Sequence, residues 1–293
     1  MIDRLVDSKR ARRRALAWSA PALALALLWV YGPLAATFGL SFYDWNLTTR
    51  PPSWVGIDHY RDLLTSSDVR EATVTTAISI VVLAALAVVA PLVAAMAVWK
   101  RSPRLTGLYR TAFFLPVVVP PAAAAVVWEW LIHPVFGVAN WALGGVGFGP
   151  YNWLNQPVTA LGAVLVVTGW KSFGLGFVLF SAGLTMIDRS LLDAARLDGA
   201  TEYQLKRFVV LPLLRPTTAV VAFMAVVLGS QWTFSAVDVM TGGGPAGATT
   251  NLFYLRYRQA FDFGDSGRAA ALAVLLVVVF GSIGAWQLRR DQA

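Results

Sequence analysis

The 293-residue sequence has no cysteine. Disulfides, thiolate metal sites and thiol nucleophiles are therefore excluded. It has two histidines, His59 and His133, far apart and without a partner at metal-ligand spacing. Both read as loop or interface residues rather than ligands. No Gly-Lys pair occurs, so there is no phosphate-binding loop ending in Gly-Lys-Ser/Thr. The triple glycine Gly242, Gly243, Gly244 runs into Pro245 instead of a lysine and reads as a tight turn. Charge is scarce too: 14% of residues are charged, against about a quarter in soluble domains. No segment between the apolar stretches is long enough to build a soluble core.

What the chain has in abundance is apolar sequence, 57% of its residues. A helix needs about 20 such residues to cross the hydrocarbon core. Six stretches meet that need: 16–42, 73–99, 108–131, 158–187, 218–239 and 268–288. The fold class is therefore all-α, a polytopic membrane protein of six transmembrane helices. The domain reading is a tail over 1–15, a first helix over 16–42, and a core of five helices over 73–288 that contains an internal loop at 188–217. The basic start of the first stretch resembles a signal peptide, but its apolar run exceeds the 7–15 residues of a signal core, so a retained helix is expected.

The net charge of +8 would fit nucleic acid. No nucleic-acid motif accompanies it, and the basic residues lie between spans. Seventeen of the 24 Lys and Arg fall in the tail, in the loops after the second and fourth spans, and at the end of the chain. Six fall on the other side, and Lys171 lies inside a span. The positive-inside rule then puts both termini in the cytoplasm. The outer loops carry Trp45, Trp54, Trp141, Tyr151 and Trp153, residues suited to the membrane interface.

The longest inner loop has its own punctuation. Ser190 can cap a short helix with Asp193 in its first turn. Gly199 supplies a left-handed stop. Thr201 and Gln204 form a capping box that opens a second short helix, and Pro212 and Pro216 end it and start the fifth span. A bent helix pair with small Ala194 and Ala195 on one face suits docking by another protein. A plain connector between two spans fits the same residues.

Asp193-Ala194-Ala195, Asp198-Gly199-Ala200 and Leu211-Pro212 resemble the "EAA" signature of binding-protein-dependent ABC importer permeases, with Asp193 in place of the usual Glu. Phe114 to Pro120, Trp128-Glu129-Trp130, Asn152-Trp153-Leu154, Trp170-Lys171, Thr241 to Pro245 and Tyr257 to Phe261 are similar to the carbohydrate-type branch, closest to the first permease of sugar and glycerol-3-phosphate importers. The resemblance implies a type I importer fold in a prokaryotic cell membrane. It implies a second permease, two copies of an ABC ATPase that use ATP and Mg, and an external solute-binding protein. It implies no cofactor and no catalysis in this chain. The eight residues of the signature would couple to the ATPase.

A charge near the bilayer centre costs about 2.5–3.5 kcal/mol on insertion scales and should face a cavity or a partner. Lys171 stands in a glycine-interrupted stretch, Gly169 to Gly176, of the kind that lines transporter sites. Trp128, Glu129, Trp170, Lys171, Gln231 and Trp232 are expected to line a translocation path, with aromatic faces for sugar rings and polar groups for hydroxyls. Pairing within the bundle is the other reading. Gly242, Gly243, Gly244, Pro245 and Tyr257 are expected to dock the binding protein, or else to form a packed loop. A stand-alone secondary transporter would need coupling-ion residues and no docking loop.

Overall fold

The computed structural model describes residues 16–48, 51–99 and 102–291. The tail over 1–15, Arg50, Lys100 and Arg101 lie outside them. The chain divides into two compact units: Met1–Thr65 with Arg256–Gly281, and Ser66–Leu255 with Ser282–Ala293. Among the described residues, five helices are long and apolar enough to cross a membrane, six when one bent pair counts as a single span.

The first unit begins with α1, Leu16–Leu40, none of whose most apolar stretch is buried. Pro33 has no amide hydrogen, and a π-turn over Leu27–Tyr31 precedes it where the helical ladder adjusts. A two-residue hairpin follows, β1 Tyr43–Asp44 against β2 Ser53–Trp54, antiparallel with Tyr43 opposite Trp54. Phe42 stacks on Trp54 at 5.7 Å. Helix α2, Asp58–Thr65, buries His59 and Leu63, and a His59 ring nitrogen lies 3.2 Å from the Tyr43 carbonyl.

The second unit holds α3 (Ser67–Val98), α4 (Pro103–Val118), α5 (Pro121–Leu131), α6 (Val138–Gly144) and α7 (Pro157–Thr185). It continues with α8 (Arg189–Leu197), α9 (residues 202–213), α10 (Arg215–Met240) and the start of α11 (Leu252–Tyr257). The last helix, α12 (Ser266–Asp291), gives its first part to the other unit.

One expected span is corrected. The stretch 108–131 is not one straight helix but α4 and α5, bent by 98°. Pro120 and Pro121 explain the break, because neither can donate to the ladder and each restricts the residue before it. The second span also starts two turns earlier than expected, at Ser67.

Helix α7 is the hub, with 61% of its apolar window buried. Lipid is as apolar as leucine, so helices in a membrane associate by close packing and hydrogen bonds rather than by escape from water. Gly174 shows the packing: a Cβ there would overlap the Phe113 carbonyl of α4 and sit 3.2 Å from Val117. Helices α4 and α7 run antiparallel in a fixed register. Arg110 donates to the Ser181 carbonyl at 3.0 Å, Phe113 meets Phe177 edge-on at 4.7 Å, and Pro116 faces Lys171. Most hydroxyls inside the spans are satisfied within their own helix, as hydrocarbon requires. Thr168 and Ser172, for example, donate to the carbonyls four residues back at 2.9 Å each.

Gly174→Val should therefore destabilise the protein by about 1–3 kcal/mol, lowering Tm in detergent. Gly162→Ala, where an added Cβ meets nothing within 4 Å, should leave Tm unchanged.

Candidate functional site

The inner loop folds as two short helices around a corner. Asp188, not Ser190, caps α8: its carboxylate accepts the Ser190 amide at 2.9 Å. Ser190 is already the second residue of the helix, so its own hydroxyl has no capping place. The Ser190 amide, and then its hydroxyl, hold the Asp188 carboxyl below the ordinary carboxylate range. The cap is therefore intact at neutral pH and lost only as pH falls into acid.

Gly199 has φ +85°, a conformation costly for residues with a Cβ. Its amide bonds the Arg196 carbonyl and the Ala200 amide bonds the Ala195 carbonyl, each at 3.0 Å. That pair of bonds is a Schellman stop. Both bonds of the expected Thr201–Gln204 capping box are present, at 2.8 and 3.3 Å. Arg196 spans the corner, 2.7 Å from Asp193 and 3.6 Å from Glu202. The second helix ends at Leu213, between Pro212 and Pro216, and Pro216 stands in the first turn of α10. A π-turn over Leu205–Val210 shifts the ladder, with the Leu211 amide on the Lys206 carbonyl. The shift carries the helix past Pro212 to Leu213.

Leu192 and Leu205 anchor the pair in a cluster with Phe177, Phe180 and Leu184 of α7 and Leu214 and Val221 at the start of α10. The signature residues divide between the two sides. Asp193, Ala194, Asp198 and Gly199 are exposed, while Ala195, Ala200, Leu211 and Pro212 are half-buried. Sequence reasoning missed three further residues: Met186, Leu197 and Tyr203 are 85%, 90% and 74% exposed. Large apolar side chains in an otherwise charged loop were the available signal.

A second assembly lies inside the spans. The helical partner of the Pro116 carbonyl would be the amide of residue 120, and Pro120 has none. The Lys171 ammonium takes that role, donating to the Pro116 carbonyl at 2.7 Å and to the Val119 carbonyl at 2.6 Å. It also lies 5.0 Å from the centre of the Trp232 ring. Trp128 and Trp170 meet edge-on at 5.9 Å. Helices α5 and α7 thus pair Trp128 with Trp170, and α7 and α10 pair Lys171 with Trp232. Glu129 is half-buried and the neighbouring Gln231 is exposed; neither side chain has a hydrogen-bond or ion-pair partner among the described residues.

The outer turn is tied down by threonines. Thr249 donates to the Gly244 carbonyl at 2.9 Å and lies 2.8 Å from the Thr241 hydroxyl. Thr250 donates to the Gly243 carbonyl at 3.1 Å. Gly242 is exposed, Gly243 is buried, and Gly244 and Pro245 are half-buried. Tyr257 packs on Phe261 at 4.9 Å. Only part of this turn is therefore open to a partner. The described residues contain no cluster of His, Cys, Asp or Glu that could hold a metal ion.

Residues 87–290 match the family described as binding-protein-dependent transport system inner membrane component. The chain is 30% identical over 292 residues to the probable ABC transporter permease protein y4oQ of Sinorhizobium fredii, covering 96% of this chain and 92% of that one. It is 30% identical over 260 residues to the trehalose/maltose transport system permease protein MalF of Thermococcus litoralis, covering 88% and 87%. It is 30% identical over 272 residues to the sn-glycerol-3-phosphate transport system permease protein UgpA of Agrobacterium fabrum, covering 92% of each. The fold matches a chain of a bacterial ABC transporter involved in the import of the acidic polysaccharide alginate. The TM-score is 0.83 and the identity 21%, over 99% of this chain and 98% of that one. A second solved form, in complex with an alginate-pentasaccharide-bound periplasmic protein, matches with TM-score 0.82 at 20% identity over 97% and 96%.

Thr249 is fully buried, so Thr249→Val should cost about 1–3 kcal/mol by leaving its partners unpaired. Faster proteolysis at the turn, with the rest of the chain protected, is the expected readout.

Proposed function

The chain belongs to the family of binding-protein-dependent transport system inner membrane components, and from that premise we propose that it is one of two permease subunits of an ATP-driven importer. Its solute is a sugar or sugar-like molecule delivered by an external binding protein. Two copies of a separate ATPase supply the energy. Both termini lie in the cytoplasm, and this subunit carries out no bond chemistry.

The observation that carries the reading is the corner of α8 and α9. It is rigid, being capped at Asp188, stopped at Gly199, recapped at Thr201 and bridged by Arg196. Leu192 and Leu205 fasten it to the spans. Leu197, Tyr203 and Asp193 are exposed on it. A rigid, anchored element with uncovered apolar side chains supports docking to another protein better than it supports a mere connector. Asp193, Ala194, Asp198 and Gly199 meet the ATPase in this reading. Ala195, Ala200, Leu211 and Pro212 hold the angle from behind.

The path is assigned to the face carrying Trp128, Glu129, Trp170, Gln231 and Trp232. Aromatic rings offer flat apolar surfaces to sugar rings, and the unpartnered Glu129 and Gln231 offer hydrogen bonds to hydroxyls. The same residues favour a neutral solute over a phosphate ester. Glu129 repels an anion, and the bonds of Lys171 already go to backbone carbonyls. Relatives named for trehalose/maltose transport support the sugar reading. A glycerol-phosphate solute, named for other relatives, is the alternative. Gly242 to Pro245 and Tyr257 are assigned to binding-protein docking through their exposed parts.

The test is ATPase activity of the co-expressed complex in lipid. Leu197→Asp, Asp193→Arg and Gly199→Pro should each abolish stimulation by loaded binding protein while the membrane level of the chain holds. Intact assembly, stimulation and uptake in all three would make the corner a connector and reopen the secondary-transporter reading.

A further inference from the structure

The break between α4 and α5 poses a physical problem that Lys171 solves. Pro120 and Pro121 remove the two amides that the carbonyls of Pro116 and Val117 would meet in a continuous helix. The end of α4 also carries the negative pole of its helix dipole. A bare set of carbonyls at this depth costs several kcal/mol per group. The Lys171 ammonium lies 2.7 and 2.6 Å from the carbonyls of Pro116, in the last turn of α4, and Val119, in the break that follows it. The residue is 1% exposed and is the largest fully buried side chain described. No described carboxylate lies within ion-pair distance of it. An ammonium has three donors. Two are taken, and the Trp232 ring of α10 stands 5.0 Å away on the remaining side.

We propose that Lys171 is a positioning residue for the bend: it fixes the end of α4 and the break before α5 against α7 and α10, and does not bind solute. The proposal rests on the permease reading and gives the buried lysine a conformational task within it. One turn further along the same face of α7 lies Gly174, against the Phe113 carbonyl. Beyond it lie Phe177 and Phe180, in the cluster that holds Leu192 and Leu205 of the cytoplasmic corner. A movement of that corner is therefore delivered along α7 to the clamp. The bend is where the pull becomes a change in the path.

The absence of cysteine allows a direct test. Leu115→Cys and Val126→Cys, on exposed positions of α4 and α5, carry spin labels in the assembled complex in nanodiscs. The distance distribution across the bend is then measured. The parent should give one narrow distribution. Lys171→Met should broaden or shift it and lower stimulation by binding protein about tenfold, with the half-saturating solute concentration unchanged. Lys171→Arg, whose fork can donate to two carbonyls, should keep the narrow distribution. In a Pro120→Ala/Pro121→Ala background the amides are restored, and adding Lys171→Met should change nothing further. An unchanged distribution with a raised half-saturating concentration would overturn the proposal and make Lys171 a solute contact. If Lys171→Met does not assemble, the arginine variant decides, and a broadened distribution there refutes the clamp. The distance needs no transport, so it stands or falls separately from the importer reading.

Discussion

Within hydrocarbon a peptide carbonyl has no water to turn to. Each one must find a donor inside the protein, and a bend made of two prolines removes two donors at once. The architecture of the second unit follows from how that shortage is met. A lysine on the facing helix supplies one of the missing hydrogens, to Pro116, and a second to Val119 in the break itself. That is possible only because Gly174, one turn along, lets the two backbones approach until a Cβ would overlap a carbonyl. The costs of a buried charge and of orphaned carbonyls are each large alone and offset each other when the two meet.

The corner of α8 and α9 obeys the same rule outside the spans. Four local devices close off its helix ends: the Asp188 cap, the left-handed Gly199, the Thr201–Gln204 box and the π-turn before Pro212. With its ends satisfied locally, the corner keeps its shape on its own, and Leu192 and Leu205 need only attach it to the bundle. An element with its own shape and a firm attachment to α7 is suited to the coupling proposed for it, and α7 reaches the bend.

The apolar runs made five of the spans legible from sequence, because a 20-residue window has one physical explanation. The corner was legible at Gly199, Thr201 and Gln204, whose cap chemistry is local. Asp188 was passed over for Ser190, since several arrangements satisfy the same backbone groups at a helix start. The bend at Pro120–Pro121 was hidden inside a hydrophobic run, where hydropathy is blind to a turn. The placement of Lys171 depends on a helix over 50 residues away in sequence. No local pattern could reveal that its ammonium faces two carbonyls.

The register between α4 and α7 also limits how such a chain can change over generations. Arg110 with Ser181, Phe113 with Phe177, and Pro116 with Lys171 meet at successive turns. Inserting or deleting one residue anywhere between those pairs rotates everything beyond it by about 100°. The lysine would then face lipid, and the carbonyls at the bend would face nothing. Side chains along these two stretches can vary, and the loops at either end can lengthen. The number of residues between the contacts cannot drift, so within this bundle length is under stricter inheritance than composition.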